Sequence, residues 1–189
     1  MWSDHTLACG RTTLKRLHSY HQRVGIPEVD PAAGSPLLRA GARVTGTKPG
    51  RWLARRVAPR IDPTLLRVSR GRVSSALVTP ELLLFHTGSQ TGRRRTTPLT
   101  YFTDAGRVIV VASNYGGARH PAWYYNTLAN PEVTISAGGY TGSFVGEEIT
   151  GTERDRLWDL VVQFIPSYAD YERLAGSRRI PILAFTEVH

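Results

Sequence analysis

Residues 81–112 read ELLLFHTGSQTGRRRTTPLTYFTDAGRVIVVA. Three short runs rich in β-branched, aromatic and leucine residues lie within it, at 81–86, 96–103 and 107–112, and polar, glycine-bearing breaks separate them. Asp104, Ala105 and Gly106 read as the hairpin turn between the second and third runs. Working outward, the same pattern returns at 132–137 (EVTISA), 140–150 (YTGSFVGEEIT) and 182–188 (ILAFTEV). Gly138 and Gly139 join two of these segments, where positive φ costs a glycine nothing. Two helical stretches intervene: 121–129, with Pro121 at a first-turn position, and 152–164, opening on Thr152 and early acids. Neither makes a crossover of the kind a parallel sheet needs, so a Rossmann arrangement is disfavoured. The expectation is a β-rich α+β fold, a small closed or half-open barrel, mainly antiparallel, with flanking helices.

A chain of 189 residues suffices for one domain with its own core. Cys9 is the only cysteine, so neither an intrachain disulfide nor a cysteine-based metal cluster can form, and a reducing, cytoplasmic setting fits. His86, His120 and His189 show no metal-ligand spacing either, and His120 reads as a helix-entry residue. No run approaches the roughly 20 apolar residues of a membrane span, and the first residues lack the apolar centre of a signal peptide. The net charge of +9 is uneven: 17 basic residues face 5 acidic ones up to Arg95, and 7 face 10 beyond it. Nucleic acid, anionic lipid or an acidic small molecule would each suit such a bias, and placement has to choose among them.

Residues 1–48 scatter Gly, Pro, Ser and Thr without periodicity and read as an N-terminal extension of poor order, followed by a domain at 49–189. The domain opens on a basic amphipathic segment, 51–70, in which Trp52, Leu53, Val57, Ile61, Leu65 and Val68 recur near helical spacing among six arginines. Pro59 and Pro63 break it into two short helices or a kinked one. Packing on the domain with the arginines in water is the simpler reading; peripheral attachment to an anionic membrane, on the inner face of the plasma membrane, is the other.

Two segments carry candidate chemistry. The loop 87–98, TGSQTGRRRTTP, follows a strand directly and combines two glycines four apart, hydroxyls and three arginines. Glycines let backbone approach an anion, and arginine adds a fork that stays cationic. The final lysine of a Walker loop is missing, and a polar hairpin with solvated arginines is the plain alternative. No aromatic residue interleaves Arg93, Arg94 and Arg95 to stack bases, so nucleic acid is not the expected partner. The second segment, VVASNYGGARHPAW at 110–123, ends an apolar strand in a small, glycine-rich turn against which a planar ring could lie. Its plain alternative is a strand-to-helix connection with Trp123 and Tyr124 in the core.

Taken in order, the leucine-rich strand, Thr-Gly-x-x-x-Gly-x-x-Arg-x-x-Pro-Leu, the Asp-x-Gly-Arg turn, Val-x-Ala-Ser, Gly-Gly, His-Pro-x-Trp-Tyr and Asn-x-x-Ala-Asn-Pro resemble the deazaflavin-dependent nitroreductase family, whose members use coenzyme F420. The likeness runs from about Arg51 to Val188 and implies a split β-barrel of the FMN-binding type. It implies that Gly88, Gln90, Thr91, Gly92, Arg94, Arg95, Thr97 and Pro98 hold the cofactor's phosphate. Ala112, Ser113, Asn114, Gly116, Gly117, Arg119, Ala122 and Trp123 would run along the deazaflavin ring and its linker. Ser113, Tyr168 and Tyr171 become the candidate catalytic donors to a small-molecule electron acceptor. The chain departs from the pattern at Gln90 and Asn114, where lysines are expected, and at Leu174, where a third aromatic is expected. The expected activity is hydride transfer from the reduced deazaflavin to a quinone or nitroaromatic. The alternatives are a non-catalytic deazaflavin carrier at the membrane surface, or the same barrel holding FMN.

Overall fold

The computed structural model describes residues 25–33 and 79–188. Six strands, β1 (Glu81–Thr87), β2 (Arg94–Asp104), β3 (Arg107–Val111), β4 (Glu132–Ala137), β5 (Tyr140–Ile149) and β6 (Ile182–Val188), close into a barrel in the order β1-β2-β3-β6-β5-β4. Every neighbouring pair is antiparallel, so the split-barrel expectation is met, and closure gives each of the six strands a partner on both sides. Ala105 and Gly106 turn the β2–β3 hairpin, and Gly138 and Gly139 the β4–β5 hairpin, all with positive φ.

The apolar runs are continuous because two cores share the strands. On β3, Val108 and Val110 point into the barrel while Ile109 and Val111 point out under helices; on β6, Leu183 and Phe185 divide from Ile182 and Ala184 in the same way. The inner core also takes Leu82, Leu84, Ile135 and Phe144. The outer one is covered by α2 (Gly151–Phe164), through Leu157, Trp158, Val161 and Phe164, and by α3 (Ser167–Ala175). Burying a side chain such as Phe144 or Phe185 contributes about 2 kcal/mol. β4 and β5 keep one face in water and so read with cleaner alternation. A third helix, α1 (Ala122–Ala129), packs on β1 and β5.

Two features differ from the sequence reading. Residues 25–33 are not poorly ordered: Ile26 enters the inner core at 2% exposure, and Val29 and Thr103 exchange backbone and hydroxyl hydrogen bonds at 2.9–3.1 Å. The Tyr101 hydroxyl, its pKa pushed up to about 12 by burial, donates to the Pro27 carbonyl, and the Gly25 N–H donates to the Glu187 carboxylate. This order comes from hydrogen bonds to distant strands, which leave no periodicity in the segment itself. The second difference is α3, a helix of 9 residues, where the sequence reading gave 166–171 no secondary structure. Its buried positions, Ser167, Tyr171 and Ala175, fall four apart, a stripe too short to stand out. The basic segment 51–70 lies outside the described residues.

Candidate functional site

The glycine loop between β1 and β2 is a closed turn. Gly88 N–H donates to the Arg93 carbonyl at 2.9 Å, and the N–H groups of Thr91 and Gly92 return to the Gly88 carbonyl. The loop is tied to α1 through Asn126, whose Oδ1 accepts from both the Ser89 N–H and the Ser89 hydroxyl at 2.9 and 3.0 Å. Sequence reasoning expected such N–H groups to face an anion; here those of Gly88, Ser89, Thr91 and Gly92 are spent on the loop's own shape. The charged donors turned outward here are side chains. Arg94 and Arg95 are exposed at the start of β2, and a Cβ placed on Gly88 would lie 3.3 Å from Arg95 Nε and 2.8 Å from Thr91 Oγ1. A cation and a hydroxyl thus stand together over Gly88, with the Arg93 carbonyl 3.4 Å from the same point; the first two are donor types that suit a phosphate.

The turn after β3, expected from the sequence to lie on the ring side, is built differently. Asn114, Tyr115 and Gly116 are consecutive left-handed residues, with φ of 47°, 50° and 71°. The two non-glycine residues cost about 1 kcal/mol or more each. Local bonds offset this: Asn114 Nδ2 donates to the Arg119 carbonyl at 2.8 Å, and Gly117 N–H to the Asn114 carbonyl at 2.9 Å. Asparagine stands where a lysine was expected because its short amide tolerates this conformation and closes the turn. From beyond α3, Arg178 reaches back to the carbonyls of Gly117 and Ser113 at 2.9 and 2.7 Å, and to His120 Nδ1 at 3.0 Å. A guanidinium can only donate, so His120 Nδ1 accepts; burial first, then the Arg178 charge, lower the His120 pKa, against the Glu148 carboxylate, which raises it.

α3 closes over this turn. A Cβ on Gly116 would come within 2.7 Å of the Tyr171 carbonyl and of Leu174 Cβ. Gly116 is thus the seat of the helix. Tyr115 and Tyr171 meet edge to face at 5.7 Å, and Tyr171 and Tyr168 at 5.5 Å. Burial first, then the Tyr171 and Tyr115 phenols, hold the Tyr168 pKa well above its ordinary value, with the Ser113 hydroxyl partly offsetting them. Tyr168 is a protonated phenol at neutral pH, beside Ser113. The structure so gathers the three expected donors, Ser113, Tyr168 and Tyr171, with Tyr115 as a fourth wall residue.

A family model described as F420H(2)-dependent quinone reductase matches residues 58–187. The chain belongs to that family. An F420H(2)-dependent quinone reductase of Mycobacterium tuberculosis strain H37Rv is 35% identical over 144 residues, which is 72% of this chain and 96% of that protein. A solved F420-H2 dependent reductase, FDR-A, superposes with a TM-score of 0.52 at 34% identity, covering 56% of this chain and 93% of the other. A second solved structure, described as a domain-swapped dimer, gives 0.53 at 28% identity over 73% and 99%.

Within the F420H(2)-dependent quinone reductase frame, the expected residues divide. Gln90, Thr91, Gly92, Arg94 and Arg95 surround the loop, and Arg119 and Ala122 are exposed at the ring-side turn and the start of α1. Trp123 is placed otherwise: at 5% exposure its side chain packs in the inner core with Tyr124, so it supports the site from beneath. Ala112 is fully buried, its N–H held by the Pro181 carbonyl. Thr97 and Pro98 lie within β2, paired to Leu84 and Leu83. Sequence reasoning missed Arg178, His86 and Asn126. Arg178 carried no local signal, and His86 was weighed only as a metal ligand.

Proposed function

We propose that this chain uses coenzyme F420 to reduce quinones, as the relatives' names state of them, with the phosphate on the glycine loop and the ring against the turn at 112–119. The observation that carries the reading is the joint geometry. A glycine turn with a cation and a hydroxyl over it, and a second turn flanked by Tyr171 and the protonated phenol of Tyr168, occur on one barrel, in the chain order of that family. When bound, the reduced deazaflavin supplies a hydride. The chain's own part is to hold and screen. Arg95 and Arg94 bind the phosphate, Arg178 fixes the ring-side turn, and α3 shields the turn from water. Ser113 and Tyr168 are placed to donate to an acceptor oxygen as negative charge grows on it.

Nitroaromatics share the planar, electron-poor character of quinones and fall within the proposed acceptor range, with Leu174, 51% exposed on α3, giving the rim an aliphatic edge. Peripheral attachment to anionic membrane through 51–70 belongs to the same proposal; sedimentation with anionic vesicles should weaken in an Arg55→Glu, Arg56→Glu variant. The central experiment is to mix purified protein with reduced F420 and menadione and follow reoxidation of the cofactor. Turnover supports the proposal. Binding without turnover on a broad acceptor panel would make the protein a carrier, and no binding at high micromolar F420 would overturn the reading.

A further inference from the structure

His86 is almost fully buried, at 4% exposure. Its ring lies in the middle of a polar chain that joins β2, β1, α1 and the glycine loop. His86 Nε2 meets Thr97 Oγ1 at 3.0 Å, His86 Nδ1 meets Asn126 Nδ2 at 3.2 Å, and Asn126 Oδ1 meets Ser89. The direction of every bond follows from one unambiguous group. The Ser89 backbone N–H can only donate, so the Asn126 oxygen must face the loop and its NH2 must face the ring. His86 Nδ1 is then an acceptor, Nε2 carries the proton, and Thr97 Oγ1 receives it, which leaves the threonine's own proton to be given elsewhere.

We infer that His86, held as the neutral Nε2–H tautomer, is a positioning residue of the anion site, locking Ser89 through Asn126 and turning the Thr97 hydroxyl into a donor for the cofactor's phosphate. The inference rests on the proposed F420 site but concerns residues that the family reading assigned either no role or only a direct contact. A proton on Nδ1 would set donor against donor at Asn126, and an Asn126 that turned over to relieve it would present its NH2 to the Ser89 N–H. β2 contributes the charge that acts on the ring, that of Arg95, paired across from His86; the groups offered by α1 and the loop, Asn126 and Ser89, are neutral. Burial and the Arg95 charge both lower the His86 pKa, which favours the neutral ring, and the hydrogen bonds to Asn126 and Thr97 choose its tautomer.

The test reads the ring and the binding separately. Nitrogen NMR of the cofactor-free protein should show His86 as a neutral Nε2–H imidazole at about pH 7. F420 affinity, followed by the cofactor's fluorescence, should fall by up to about ten-fold as the pH drops through the lowered His86 pKa. Asn126→Ala should weaken binding by a similar factor at neutral pH, about the loss of one hydrogen bond to a constrained group. His86→Gln, whose amide offers one acceptor and one donor without titrating, should keep affinity within about three-fold and flatten the pH profile. A ring protonated on Nδ1, or a His86→Gln protein with the wild-type pH slope, would overturn the inference. Should Asn126→Ala fail to fold, the tautomer and the glutamine profile still decide it. If the wild-type protein binds no F420 at any pH, it is the cofactor reading that fails, and the tautomer measurement is unaffected.

Discussion

The glycine loop at 88–95 and the ring-side turn at 112–120 are both short connections leaving a barrel strand, yet they are stabilised in opposite ways. The loop is anchored through neutral side chains of its immediate structural neighbours, His86, Asn126 and Thr97, and turns its charges outward. The turn keeps two non-glycine residues left-handed, and it is held from above by α3 and from the side by Arg178. The first region presents charge to water and the second shields backbone from it. A loop of the first kind should tolerate local substitution and lose ligand; a turn of the second kind should lose structure.

Four substitutions probe that contrast, in falling order of effect. Gly116→Ala adds a Cβ against the Tyr171 carbonyl at positive φ, and should cost about 3 kcal/mol in a urea melt and lower F420-dependent turnover. Arg178→Met strands the carbonyls of Ser113 and Gly117 in a partly buried setting. It should cost about 2 kcal/mol in the same melt and lower kcat, with phosphate-end affinity little changed. Arg95→Ala should raise the F420 Kd about ten-fold or more, as expected for a hydrogen bond to a charged group, with the melting midpoint unmoved. Gly92→Ala shares the positive φ of Gly116 but meets nothing within 4 Å, so it should cost only about 1 kcal/mol. Equal losses at Gly92 and Gly116 would erase the distinction between the two regions.

Much of this was legible in the sequence. The strands could be read because closure of the barrel and the covering helices bury both faces of β3 and β6, leaving dense apolar runs such as RVIVV. The glycine loop could be read because its residue types, glycine, hydroxyl and arginine, are the chemistry itself. The ring-side turn was legible only as a composition. Its strain, and the role of Asn114 in closing it, appear only when φ and the Arg119 carbonyl are in view. Trp123 shows the reverse: an aromatic in a suggestive motif whose side chain packs in the inner core.

The sequence by itself determined the six-stranded antiparallel barrel, the glycine turn between β1 and β2 and the cofactor family, because each is written in short-range patterns of apolar spacing, turn residues and ordered motifs. Only the tertiary structure decided that Ile26 joins the core, that Gly116 is the seat of α3, that Arg178 holds the turn after β3, and that His86 is linked through Asn126 to the glycine loop. The reason is physical. These roles arise from hydrogen bonds and close approaches between segments far apart in the chain, and a residue's own neighbours in sequence carry no trace of a partner that folding brings to it.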